Sequence, residues 1–126
     1  MSTSHRLAAV GAVLGLLAVG LGAFGAHALA RVIPPDLVET YDTAARYQMV
    51  HALAVLAAAL LHDRWRRPHF AWGGWLFVAG VVIFSGSLYV LSLTGARWLG
   101  AITPVGGVCL LAGWAAMTWG AVSRER

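Results

Sequence analysis

The side chains able to do chemistry are few, and most stand inside apolar runs. His27, Tyr47, Gln48, His51, Ser85, Ser87, Tyr89 and Thr103 interrupt stretches that otherwise resemble hydrocarbon. Tyr47 and His51 are four residues apart, which places them on one face of a helix with Gln48 beside them. An imidazole titrates near neutral pH and can gate or relay protons. Ser85-Gly86-Ser87 together with His51 contains the parts of a serine–histidine dyad. Such a dyad also needs an oxyanion hole, and a continuous apolar helix around Ser85 offers neither a loop nor a helix N-terminus to build one. We therefore assign no catalytic residue and read the chain as a non-enzyme. His27 and His51 could hold haem or a metal between facing helices. Two histidines without carboxylate or cysteine companions are a poor ligand set, so no metal and no cofactor is assigned, and such a site remains the second alternative.

The composition names the solvent that surrounds these groups. Of 126 residues, 60% are hydrophobic and 11% charged. A small soluble domain has too much surface to be covered by so few charges. Lysine is absent, and every basic residue other than histidine is arginine. The pI near 10.2 does not indicate nucleic acid, because the arginines punctuate apolar segments rather than cluster on one solvated face. Cys109 is the one cysteine, so no disulfide can form within the chain.

About 20 apolar residues span a bilayer core as a helix. Four stretches meet that length, giving an all-α polytopic membrane protein read as one four-helix transmembrane domain over 1–126. The helices are expected at about 7–29, 36–62 with the membrane part from 44, 71–93 and 98–122. The first stretch, with Arg6 before it and Ala26-His27-Ala28 after it, also has the outline of a signal peptide. Its apolar core is longer than a signal sequence uses, so an uncleaved helix is expected. Alternating helices put Arg6, Arg64, Arg66, Arg67, Arg124 and Arg126 on one side, against Arg31, Arg46 and Arg97 on the other. The positive-inside rule then predicts both termini in the cytoplasm. Pro35 suits the first position of the second helix, Asp36 and Glu39 suit its opening turn, and Asp42 can pair with Arg46.

Fifteen glycines in such a chain imply close helix contacts. Gly11, Gly15, Ala18, Gly22 and Gly25 recur at steps of three and four along helix 1, as do Gly106, Cys109, Gly113, Ala116 and Gly120 along helix 4. These stripes predict packed seams through Gly11, Gly15, Gly22, Gly106, Gly113 and Gly120, within the chain, between copies or with other membrane proteins. Pro104 is expected to break helix 4 and to leave the Gly100 carbonyl without its helical partner. Converting position into depth at ~1.5 Å per residue puts the polar groups of all four helices in one outer layer. That layer predicts one polar pocket per chain, open outward and closed by the level of Leu61 and Phe77, with His51 at its centre.

Four segments carry a resemblance that spans all four helices in order: Gly22-Ala-Phe-Gly-Ala-His27, Tyr47-Gln-Met-Val-His-Ala52, Phe84-Ser-Gly-Ser-Leu-Tyr89, and Thr94 through Gly107 with Arg97, Trp98, Thr103 and Pro104. The chain resembles the family catalogued as domain of unknown function 423, small integral membrane proteins of the YgdD and YwdK kind. The resemblance implies a four-helix inner-membrane protein and no assigned activity. From the residues, the expected role is a structural or accessory membrane component. An oligomeric transporter of a small solute or of protons is the alternative. The expected partners are the lipid bilayer and other helices, and nucleic acid is not expected.

Overall fold

The computed structural model describes residues 1–123. Arg124 and Arg126, counted above in the charge asymmetry, lie outside the described residues. The elements are α1 (Thr3–His27), a 3-10 turn (Leu29–Arg31), α2 (Pro35–Trp65), α3 (Pro68–Thr94), a second 3-10 turn (Arg97–Ala101) and α4 (Thr103–Val122). All four spans are long and apolar enough to cross a membrane. The second and third helices overrun the expected bounds at both ends, the first starts earlier but stops at His27, and the fourth starts later, at Thr103.

Local chemistry sets the ends. The Ser2 hydroxyl caps α1 by accepting from the His5 N–H at 3.2 Å. Pro35 opens α2 and Pro68 opens α3, where a missing N–H costs nothing. Arg66 ends α2 in the left-handed region with φ 54°, its N–H donating to the His62 carbonyl at 2.8 Å. Glycine takes that conformation freely, while an arginine there carries about 1 kcal/mol of strain. Gly95 ends α3 in the same region, with φ 72°. Pro104 departs from expectation. It lies in the first turn of α4, after a 3-10 turn, and not within a continuous helix. The Gly100 carbonyl therefore precedes the helix and is not orphaned by a mid-helix proline.

The helices pack in series: α1 on α2, α2 on α3 and α3 on α4. The seams repeat every seven residues. Ser4, Gly11, Ala18 and Gly25 are the buried line of α1. Leu37, Tyr41, Ala44, Gln48, His51, Val55 and Ala58 alternate by four and three along α2, and all are buried. Gly73, Gly80 and Ser87 continue the pattern on α3, where Gly73 meets Gly113, Gly80 meets Leu110 and Ser87 meets Thr103, while Gly106 and Gly120 of α4 meet Phe84 and Phe70. A strict seven-residue repeat makes helices coil around one another in the left-handed sense.

This register separates the expected packing glycines. A Cβ on Gly106 would lie 2.8 Å from the Phe84 Cα and Cβ, one on Gly113 within 2.7 Å of the Phe77 ring, and one on Gly120 2.9 Å from the His69 Cβ. A Cβ on Gly11 would meet Val55 and Leu56 at 3.1 Å. Gly15 and Gly22 stand between the seven-residue steps: a Cβ on Gly15 would have only the Ala52 Cβ at 3.9 Å, and one on Gly22 nothing within 4 Å. The α4 glycines are thus consumed by α3, whereas Gly15 of the α1 stripe is loosely packed and Gly22 has room for a side chain.

The core is apolar and centred on α2 and α3, with Leu7, Val55, Ala58, Phe70 and Phe77 fully enclosed. The outer surface is apolar too. Leu16, Leu60 and Leu111 are each more than 70% exposed, a pattern that only lipid makes favourable. Cross-links tie the ends. The Ser4 hydroxyl and His62 Nδ1 are 3.0 Å apart, and Arg67 Nη1 donates to the Ser123 carbonyl at 2.9 Å while Nη2 donates to its hydroxyl. At the other face Arg97 reaches Asp36 at 2.8 Å, and Arg46 pairs with Asp42 at 2.6 Å.

Candidate functional site

The expected polar groups come from all four helices, and those buried on α2 and α3 are answered by neighbouring helices. Gln48 stands between α1 and α3. Its Nε2 donates to the Leu14 carbonyl at 2.9 Å, and its Oε1 accepts from the Tyr89 hydroxyl at 2.6 Å. One side chain thereby fastens three helices. Ser85, enclosed on α3, donates to the Ala44 carbonyl of α2 at 2.8 Å. Ser87 and Thr103 join α3 to the start of α4 through hydroxyls 2.7 Å apart, and Ser87 also donates to the Phe84 carbonyl at 2.9 Å. Tyr41, which the sequence reading passed over, donates to the Leu21 carbonyl of α1 at 2.6 Å, its ring covering Gly25.

His51 is 5% exposed and bonded at both ring nitrogens. Nδ1 lies 2.8 Å from the Tyr47 carbonyl, and the Trp114 indole Nε1 donates to Nε2 at 3.1 Å. An indole nitrogen only donates and a carbonyl only accepts. The ring must therefore carry its proton on Nδ1 and a lone pair on Nε2, which is the neutral form. A second proton on Nε2 would point at the indole N–H and break that bond. The same two bonds leave no lone pair free for a metal or haem iron. Among the described residues no group of three or more His, Cys, Asp or Glu is gathered for a metal ion. Aromatic rings enclose the imidazole: Phe77 at 5.5 Å, Trp114 at 5.9 Å and Tyr47 at 6.0 Å between centroids.

The grooves beside these groups gather few of them. A groove of about 470 Å³ between α2 and α4 is walled by Phe84, Pro104, Leu110, Leu111 and Trp114, and takes in only Tyr47 and His51 of the eight polar residues. A second groove, of about 240 Å³ between α1 and α2, is bounded by Gly22, Gly25, Leu29, Tyr41, Glu39 and Asp42 and contains none of the eight. His27 stands apart, exposed at the last residue of α1, with no side-chain hydrogen bond among the described residues. The bonded groups form separate sets, each spanning a helix seam.

Trp114 is the residue that sequence reasoning undervalued. An indole inside a span has one N–H to satisfy, and His51 is the nearest residue type able to accept from it. The small residues of α3 were missed as well, although Gly73, Gly80 and Ser87 show the same seven-residue step as Gly106, Gly113 and Gly120.

Comparison with known proteins agrees with this architecture. The family model described as "Protein of unknown function (DUF423)" matches residues 21–107. The UPF0382 membrane protein YwdK of Bacillus subtilis is 48% identical over 106 residues, covering 83% of this chain and 86% of that protein. A UPF0382 membrane protein of Staphylococcus saprophyticus is 44% identical over 105 residues, covering 83% and 87%. The UPF0382 inner membrane protein YgdD of Escherichia coli is 40% identical over 124 residues, covering 98% and 95%. No solved structure matches the chain. With four apolar spans, a seven-residue packing register and relatives alike over nearly their whole length, the chain belongs to the DUF423 family of membrane proteins.

Proposed function

We propose that this protein is a structural or accessory component of the inner membrane, without catalytic activity of its own. Its outer polar layer sets the register of the four helices. The observation that carries this reading is the bonding of the two buried polar side chains of α2: both nitrogens of His51 and both amide ends of Gln48 have partners in the same chain. A transport site keeps some polar group available to its substrate, and a proton relay needs a nitrogen able to change state. Register needs only that each buried group find a partner. The inner-membrane location is supported by the name of the Escherichia coli relative. The excess of arginine at the N-terminus and the α2–α3 turn supports cytoplasmic termini. An association surface is supported by α1, where Gly20 is exposed and an added Cβ would meet nothing within 4 Å among the described residues. A second copy or another membrane protein would meet that face.

Two experiments test the reading. Proteoliposomes holding the protein and a pH-sensitive dye should leak protons no faster than protein-free vesicles. Proton or solute flux abolished by His51→Gln would instead establish the transporter reading. Reporter fusions at residues 67 and 126 should read cytoplasmic, and those at 36 and 96 external. An external signal at 126 would overturn the orientation.

A further inference from the structure

The turn joining α2 to α3 carries Arg64, Arg66 and Arg67, and the three differ in what they do. Arg67 is engaged, with both terminal nitrogens donating to Ser123. Arg64 and Arg66 are exposed and form no ion pair among the described residues. Arg66 keeps its charge at a left-handed backbone position that a glycine would fill without strain. The neighbouring acid, Asp63, belongs to a groove on the opposite flank of α2, with Ser4, Leu56 and Leu60.

Beside the turn opens a second groove, of about 360 Å³, lined by His62, Pro68, Ala71, Trp72 and Trp75. The last four form one face of α3 and run about 10 Å from the turn toward the hydrocarbon. Trp72 is 68% exposed on that face. Guanidinium groups pair with phosphate oxygens, indoles rest at headgroup depth, and an apolar channel below them accommodates an acyl chain.

We propose that the α2–α3 turn and this groove bind an anionic phospholipid, with its phosphate on Arg64 and Arg66 and an acyl chain along Trp72 and Trp75. The assignment does not depend on which side of the membrane the turn occupies, nor on the accessory role proposed above. Native mass spectrometry of the full chain in mixed micelles, titrated with dioleoyl phosphatidylglycerol or dioleoyl phosphatidylcholine, tests it. The wild type should retain phosphatidylglycerol on the order of tenfold more than phosphatidylcholine, and Arg64→Gln with Arg66→Gly should remove about that factor. Arg66→Gly also relaxes the backbone, so an unchanged or raised thermal midpoint shows that lost binding is not lost folding. Arg31→Gln, at the other face, should leave the preference intact. Equal retention of the two lipids by the wild type would overturn the proposal. So would phosphatidylglycerol retention unchanged in the double variant, an equal loss in Arg31→Gln, or displacement of the lipid by an equal concentration of inorganic phosphate.

Discussion

Replacing Gly106 by alanine adds one methyl group where two helix backbones touch. The new Cβ would lie 2.8 Å from the Phe84 Cα, and no rotamer can move a backbone atom aside. Ordinary contact begins near 3.4 Å, so α3 and α4 must part by about 0.6 Å or more at that level. The Gly113 and Gly120 contacts lie along the same seam, so the separation also loosens packing around Phe77 and Phe70. Overpacking of this kind costs about 1–3 kcal/mol, and the better helix propensity of alanine returns about 0.5–1 kcal/mol. A net loss of about 1–2 kcal/mol is expected, or several degrees in the thermal midpoint. Gly22→Ala is the matched control. Its methyl meets nothing within 4 Å, so only the propensity gain of about 0.5–1 kcal/mol remains. Thermal unfolding in mild detergent, followed by tryptophan fluorescence, reads both variants. Equal midpoints for Gly106→Ala and wild type, or an equal fall in Gly22→Ala, would refute the seven-residue seam as the contact that holds these helices.

Gln48→Leu should destabilise more than Tyr89→Phe in the same assay, by about 1 kcal/mol, because the first breaks two interhelical bonds and the second only one; the reverse order would show that Gln48 is not the joint of three helices. Trp114→Phe removes the donor to His51 Nε2 and should cost about 1–2 kcal/mol, and His51→Gln should fold better than His51→Leu because an amide still bonds where a hydrocarbon cannot. Arg97 holds the Asp36 carboxyl below its ordinary value of 3.8, chiefly through its direct hydrogen bond. A depressed carboxylate contributes stability that is complete above the unfolded value and is lost as pH falls through the lower folded value. The midpoint of the wild type should therefore fall more steeply below about pH 4 than that of Arg97→Gln, with little difference at neutral pH where an exposed pair is well screened; parallel acid profiles would remove the loop-to-loop pair from the account.

Hydropathy and charge count depend only on composition along the chain, which is why the bilayer, the four spans and the start of α2 at Pro35 were legible before any coordinates. Height along a helix can be counted in the same way, since each helical residue advances the chain by a constant ~1.5 Å. Depth says at what height a polar group lies but not which way it faces. Gln48 and His51 are three residues apart at nearly one height, yet one fastens α1 and α3 while the other turns to Trp114 on α4. Gly22 and Gly25 are likewise three residues apart, and only at Gly25 would an added Cβ run into α2. Those outcomes rest on rotation about the helix axis and on which helix arrives opposite. They are decided by the serial packing of α1 to α4 and its seven-residue register, because a hydrogen bond or a close contact exists only once two distant segments occupy the same place.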